Sequence, residues 1–235
     1  MMKKNVYLTH RRERKNEVSG MKETKGHIFS ISRDNAPVAG CTISKELVNE
    51  AQYQVFYFSL AAGTDISPEI YRQAKLLYVA DGTLTVHWPG EEHNLVAGQA
   101  IIAPPSVPVG MKSRDGAVYT ELTVEEEFLM NIDAGKIFSL AGLVPYQDGK
   151  IINRDIIQSP KVKFVVMSFG AGTGLSEHAA PGEALIFALE GKAVIRYEGE
   201  DHEIKAGENF AFAKNGRHAI TADGPFKMAL LLTLE

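Results

Sequence analysis

The sequence predicts an all-β protein built of two similar barrels in tandem. The second half of the chain repeats the first at an offset of 109 residues, the separation of Gly26 and Gly135. Each half is rich in short β-type segments, and Gly, Pro, Asp or Asn stands between most of them. A repeat of this length indicates two similar domains rather than a solenoid of short units. Short strands with turn residues every ~8–12 positions favour a β-sandwich or barrel for each domain.

Matched segments along both halves carry the repeat. They are 26–30 with 135–139, 58–64 with 167–173, Gly82 with Gly191, 90–93 with 199–202, and Gly98 with Gly207. Near the end the offset is expected to slip by one residue, so that 123–125 match 233–235. This pattern predicts a charged arm at 1–25, a first barrel at 26–125, a linker at 126–134 and a second barrel at 135–235.

The predicted strands are the segments with the most β-branched and aromatic residues. In the first copy they cover 53–60, 76–79, 84–87, 100–103 and 119–124. In the second copy they cover 162–169, 184–189, 193–197, 209–212, 218–221 and 227–233. Helical periodicity is weak, and a single helical turn is expected around 44–49 and again around 153–158.

Composition narrows the class of protein. The 235 residues carry a formal charge of −4, which gives no global electrostatic reason to bind nucleic acid. The single cysteine excludes an intrachain disulfide framework and fits a reducing compartment. No apolar run approaches the ~20 residues that span a bilayer. These observations predict a cytoplasmic protein with no membrane partner. The basic arm is expected to be solvated, and the alternatives are a nucleic-acid patch or an arm that joins subunits.

The second copy carries spaced histidines and glycines that point to a known family. One histidine, His178, lies 13 residues before Gly191, and the other, His218, lies 11 residues after Gly207. This pattern resembles the two motifs of cupins, which are small double-stranded jelly rolls, and both halves together resemble a two-barrel bicupin. In the first motif the second histidine and the glutamate are replaced by Ala180 and Ala184.

The resemblance implies two alternative sites. In the first, His178 and His218 hold a divalent transition metal (Fe, Mn, Ni, Zn or Cu), with Glu183 as a third ligand or as a general base. In the second, the two histidines are neutral groups in a metal-free pocket. Strict strand alternation points Glu183 outward, whereas an irregularity at Pro181-Gly182 would turn it inward.

Small residues are expected inside the second barrel. Ala180, Ala184 and Ala188 occupy positions that alternate toward the interior, where they leave room for a ligand. The competing expectation is that a large side chain such as Phe164 or Phe210 fills that space.

The first copy has no metal set at the matching positions. Glu69 stands opposite His178 in the repeat, Tyr71 opposite Ala180, Lys75 opposite Ala184 and Val109 opposite His218. We expect Glu69 and Lys75 to form an ion pair with the Tyr71 hydroxyl nearby. The alternative is an anion pocket with Lys75 as its charge.

Two functions follow from the resemblance. One is a metal-dependent enzyme, dioxygenase-like or isomerase-like, that acts on a small molecule in the second barrel. The other is a non-catalytic bicupin that binds, senses or stores a small molecule without metal. A homodimer is expected in either case, because jelly-roll sheets have edges that pair readily.

Overall fold

A computed structural model describes residues 20–234 of the protein as an almost entirely β chain. The predicted arm therefore lies outside the described residues up to position 19. The strands of the first half are β1 (Ile28–Phe29), β2 (Thr42–Asn49), β3 (Tyr53–Leu60), β4 (Thr64–Ile70), β5 (Ala74–Trp88), β6 (Glu91–Val96), β7 (Gln99–Ala103), β8 (Pro108–Ser113) and β9 (Ala117–Val124). Those of the second half are β10 (Phe138–Ser139), β11 (Ile151–Gln158), β12 (Val162–Phe169), β13 (Gly174–Ala179), β14 (Ala184–Tyr197), β15 (Glu200–Lys205), β16 (Asn209–Phe212) and β17 (Arg217–Thr233).

Helical structure in the described chain is limited to short pieces. Helix α1 spans Ile31–Asp34, and 3₁₀ turns cover Glu126–Phe128 and Ala141–Leu143. Among residues 20–234, no helix is long and apolar enough to cross a membrane.

The strands form two curled sheets, one for each half of the chain. One sheet follows the order β10-β7-β5-β9-β3-β2, with β4, β6 and β8 attached. The other follows the order β1-β16-β14-β17-β12-β11, with β13 and β15 attached. The long strand β5 pairs with β6, β7, β8 and β9, and β14 likewise pairs with β15, β16 and β17. Each sheet is curled around its long central strand, and the predicted tandem of jelly-roll barrels is confirmed.

The two halves exchange their first strands. Strand β1 pairs with β16 of the second barrel, where Ile28 lies opposite Phe210. Strand β10 pairs with β7 of the first barrel, where Phe138 lies opposite Ala100. Each barrel is therefore completed by a strand that precedes the other barrel in the sequence.

Alternation along the strands divides the apolar residues among three cores. In β9, Tyr119 faces the interior of the first barrel, whereas Val118 and Leu122 face the second barrel. The shared core between the barrels also holds Phe187, whose ring centroid lies 6.0 Å from the ring centroids of both Tyr78 and Phe164. The third core fills the second barrel. Strand exchange and the shared core bind the two barrels into one unit.

Two expectations about local structure are wrong. The segments expected to form helical turns are strands β2 and β11, and each contains a register shift at the same place in the repeat. The shift buries two consecutive residues, Leu47 and Val48 in β2, and this pairing of apolar residues imitates helical spacing. The expected slip in the offset is also absent, because Tyr53 pairs with Val124 just as Val162 pairs with Thr233.

Candidate functional site

The two histidines singled out by the sequence lie side by side. His178 of β13 and His218 of β17 are directly opposite each other in the antiparallel ladder. Their ring centroids are 4.3 Å apart with the planes inclined at 54°. His178 is exposed, whereas His218 retains only 5% of its surface in contact with solvent. The pair therefore has one ring at the surface and one buried beneath it.

Each ring is oriented by a backbone carbonyl two residues earlier in the chain. Nδ1 of His178 lies 2.8 Å from the Ser176 carbonyl oxygen, and Nδ1 of His218 lies 2.9 Å from the Gly216 carbonyl oxygen. A carbonyl oxygen can only accept, so each Nδ1 donates its hydrogen. In the neutral rings both Nε2 atoms then carry a lone pair.

The buried ring is held in the neutral form at neutral pH. Burial lowers the pKa of His218 below its usual value, and the neighbouring His178 lowers it further. The hydrogen bond to the Gly216 carbonyl opposes these two effects without overcoming them. His218 is consequently a hydrogen-bond acceptor at Nε2 under physiological conditions.

The walls beside the buried ring are apolar. Phe212 stacks on His218 with ring centroids 4.2 Å apart. Phe212 lies opposite Ala184 on β14, and Ala184 lies opposite Leu232 on β17. Half-buried apolar residues that pack on the core of this barrel are Leu175, Met167, Leu230 and Leu232.

Two of the three small residues that were expected inside the second barrel lie in its core. Ala184 and Ala188 belong to the core inside the second barrel, and Ala180 is buried with 7% exposure. Of the two large residues expected to compete for this space, Phe210 lies in the same core, whereas Phe164 lies in the core between the barrels.

Glu183 is placed away from the histidine pair, in contact with the N-terminal segment. Its Oε1 lies 2.8 Å from Lys25 Nζ, and its Oε2 accepts a hydrogen bond from the Met21 backbone N–H. The Thr233 backbone packs closely against Gly182, where a Cβ would lie 1.6 Å from the Thr233 carbonyl oxygen. The Glu183 carboxylate is thus engaged by Lys25 and Met21, and its roles as metal ligand and general base stay predictions.

The donor set does not fit a resident transition metal. Among residues 20–234, no group of three His, Cys, Asp or Glu side chains is arranged to hold an ion. Transition-metal sites in proteins usually draw on three or four side chains. His178 and His218 supply two imidazoles, fewer than the protein ligands that such a site usually has.

Replacing Glu183 with glutamine is expected to cost about 1 kcal/mol of unfolding free energy, because the ion pair is partly exposed. Lys25→Met should cost a similar amount, and the double variant should lose less than the sum of the two. Chemical denaturation of all three variants measures this coupling, with the exposed Glu203→Gln as the control. Additive effects would show that Glu183 acts through another partner.

His218 should make the protein less stable in mild acid. Its pKa is lower in the folded chain than in the unfolded chain, so the unfolded chain binds the proton first as the pH falls. Stability is therefore lost below the ordinary histidine pKa of 6.5, at no more than about 1.4 kcal/mol per pH unit. Urea unfolding between pH 7.5 and 5.5 should show a smaller loss for His218→Phe than for the native chain. Equal losses would contradict the assignment.

The corresponding place in the first barrel holds a buried ion pair. Lys75 Nζ lies 2.7 Å from Glu121 Oε1, and each side chain is 5% exposed. Lys75 Nζ also lies 3.3 Å from the centroid of the Tyr71 ring, whose hydroxyl donates to Glu69. The predicted partner of Lys75 was wrong: the ion pair forms with Glu121, and Glu69 binds the tyrosine instead.

Glu121 is absent from the residues predicted from the sequence, although the sequence carries a signal for it. It is the only charged residue in the apolar strand β9, Ala117–Val124. A carboxylate buried in such a strand needs a cation nearby. Lys75 pairs with Thr123 across the ladder, so Glu121 is the diagonal neighbour on the same face.

A separate open groove lies on the outer face of the first barrel. Its volume is about 470 Å³, and its walls include Asp65, His87, Lys112 and Arg114. Lys112 is engaged by Glu92, with 2.7 Å between Nζ and Oε2. The histidine pair is on the other barrel, so this groove plays no part in the site.

Comparisons with known proteins agree with this architecture. A protein-family model described as "Cupin domain" matches residues 165–234. Curated protein sequences give no match. A solved structure of a Cupin 2 conserved barrel domain protein from Leptotrichia buccalis is 24% identical, with a TM-score of 0.82 over 92% of this chain and 100% of that chain.

Two more distant structures share the fold. Salicylate 1,2-dioxygenase from Pseudoaminobacter salicylatoxidans, in a structure of its adducts with gentisate, is 11% identical with a TM-score of 0.63 over 88% of this chain and 80% of that chain. AerE from Microcystis aeruginosa is 16% identical with a TM-score of 0.52 over 85% and 96% of the two chains. The domain matched in the second half and the shared fold make the chain similar to cupins.

Proposed function

We propose that the second barrel binds a small organic molecule through His178 and His218 without a resident metal ion. The observation that carries this proposal is the orientation of the pair. Both Nδ1 atoms are engaged by carbonyl oxygens, which leaves two Nε2 lone pairs in rings 4.3 Å apart. Neither neutral ring can donate to the other, so each Nε2 takes its hydrogen bond from a donor outside the pair.

The chemistry of the surroundings limits the ligand. Its polar end carries an O–H or N–H that donates to an imidazole Nε2. Its body packs against apolar side chains, since Phe212, Ala184 and Leu232 form the nearby wall. Such a division, an apolar lining with a few placed polar groups, is usual for small-molecule sites. Binding, sensing or storage is the function that this arrangement supports best.

The metal-dependent enzyme is the second candidate, and one observation favours it. Histidines that ligate metals commonly donate their other ring nitrogen to a backbone carbonyl, as both of these do. The shortage of a third ligand among the described residues counts against it. The homodimer expected from the sequence stays a prediction.

Histidine resonances test the proposal directly. A panel of small alcohols, amines, amides and phenols is titrated into the protein while the ring Cε1–H signals of His178 and His218 are followed by NMR. Some members should shift both signals saturably and raise the melting temperature. His202, which packs against Phe210 with ring centroids 5.0 Å apart, serves as the internal control whose signal stays unchanged. If no compound moves the pair, or if His178→Ala leaves binding intact, the proposal fails.

A further inference from the structure

The two barrels correspond residue by residue around the histidine pair. This region, at residues 178 and 218 of the second barrel and 69 and 109 of the first, is called the mouth of each barrel. Glu69 lies opposite Val109 in the first barrel, as His178 lies opposite His218 in the second. Both edge strands carry the same register shift just before these residues. The first barrel therefore shows which side chains this backbone accommodates at its mouth.

The correspondence extends to the next inward position. The Tyr71 carbonyl oxygen accepts a hydrogen bond from Ser106 N at 2.6 Å, and the Ala180 carbonyl oxygen accepts one from Asn215 N at 2.9 Å. Ser106 and Asn215 adopt φ values of 64° and 62°. Since these loops match, the Cα–Cβ bonds of Tyr71 and Ala180 start from equivalent backbone and point the same way.

In the first barrel a phenol ring fills this position. The Tyr71 hydroxyl donates to a Glu69 carboxylate oxygen, and one face of the ring covers Lys75 Nζ at 3.3 Å. The Tyr71 side chain is thus a phenol whose hydroxyl is held by residue 69. In the second barrel the place of that acceptor is taken by His178, whose Nε2 also accepts.

We propose that the ligand of the second barrel is a phenol. Its ring takes the place above Ala180 that the Tyr71 ring takes in the first barrel, and its hydroxyl donates to His178 Nε2. This inference rests on the proposed function and narrows it to one class of ligand.

The ring of this phenol carries no charge. The positions of Lys75, Glu121 and Thr123 are taken in the second barrel by Ala184, Leu230 and Leu232, according to the strand register. A charged substituent would lie against alkyl groups without a partner, which is costly. Because Ala180 is only 7% exposed, the side chains that cover it have to move aside as the ring enters.

Four compounds of similar size separate the features of the ligand. They are 4-methylphenol, toluene without the hydroxyl, 4-methylcyclohexanol without the aromatic ring, and 4-hydroxybenzoate with a charge. Binding is measured by calorimetry and by the ring signals of His178 and His218. We expect 4-methylphenol to bind about tenfold more tightly than toluene, since one hydrogen bond separates the two compounds. It should also bind more tightly than 4-methylcyclohexanol, which lacks the aromatic ring, and 4-hydroxybenzoate, which carries a charge.

Variants at position 180 test the placement of the ring. Ala180→Tyr installs the side chain of the first barrel and should weaken 4-methylphenol binding at least tenfold. Ala180→Leu, a milder change checked by circular dichroism and melting temperature, should weaken it as well. Tyrosine in place of the exposed Ala206 is the matched control and should leave binding unchanged.

The outcomes distinguish this inference from the function on which it rests. Equal binding of toluene or 4-methylcyclohexanol would contradict the proposal that the ligand is a phenol. Unchanged binding in folded Ala180 variants would contradict it as well. The phenol is also overturned if other compounds of the wider panel shift the histidine signals and 4-methylphenol does not, and in that case the proposed function still stands. If nothing shifts those signals, both proposals are wrong.

Discussion

Replacing Glu121 with alanine is expected to lower the free energy of unfolding by about 3–5 kcal/mol, because it leaves the Lys75 ammonium buried without its counterion. Both side chains are 5% exposed and 2.7 Å apart, so solvent cannot take over the role of the missing carboxylate. The second barrel supplies the natural comparison, since alanine and leucine stand at the two matching positions. The double variant Lys75→Met/Glu121→Leu should therefore recover most of the loss.

The other single variant, Lys75→Met, should have a stability that depends on pH. Burial raises the pKa of Glu121, and Lys75 opposes that rise. Without Lys75 the folded chain holds the Glu121 proton still more tightly than the unfolded chain. The stability of Lys75→Met is then retained at low pH and lost as the pH rises, so its deficit should grow between pH 5 and pH 8 in urea unfolding. A deficit below about 1 kcal/mol in both single variants would contradict the importance of the pair.

Phe187→Ala is expected to cost about 3–5 kcal/mol and to destabilise both barrels together. Phe187 is 4% exposed and meets Tyr78 of the first barrel and Phe164 of the second at edge-to-face geometry. Because the barrels share this core and exchange strands β1 and β10, neither should unfold alone.

The single tryptophan makes this second expectation measurable. Trp88 is buried in the first barrel, whereas Phe187 belongs to β14 of the second. In Phe187→Ala, the fluorescence of Trp88 should report the full loss of stability. The change should occur in one transition that coincides with the loss of the His218 ring signal. Trp88 fluorescence that keeps its native midpoint would show that the barrels unfold independently.

The sequence was a good guide to what depends on local pattern and on the repeat. The strands and the two barrels follow from spacing that either copy displays, and the closeness of His178 and His218 follows from the cupin-like pattern of the second copy. The exchange of β1 and β10 does not, because two-residue strands carry too little pattern to show which sheet they join. The outcome at Glu183 likewise depends on Lys25, which lies far away in the sequence and is joined to it only by folding.

The two errors in the first barrel have a common cause. The repeat predicts Glu69 as the partner of Lys75 because Glu69 matches a histidine, yet strand register places Glu121 nearer on the same face. The helical turn expected near residue 47 reflected consecutive buried residues, which a register shift in a strand also produces. Pattern alone does not separate these cases, whereas the pairing of strands does.

The central claim is that His178 and His218 serve an organic ligand rather than a resident metal ion. Metal content is the most direct test, measured by mass spectrometry on protein purified without a histidine tag after exposure to Fe, Mn, Ni, Zn and Cu salts. The expected result is a substoichiometric content that is the same in the native chain and in the His178→Ala/His218→Ala variant. One equivalent of a single metal that the double variant loses would contradict the claim.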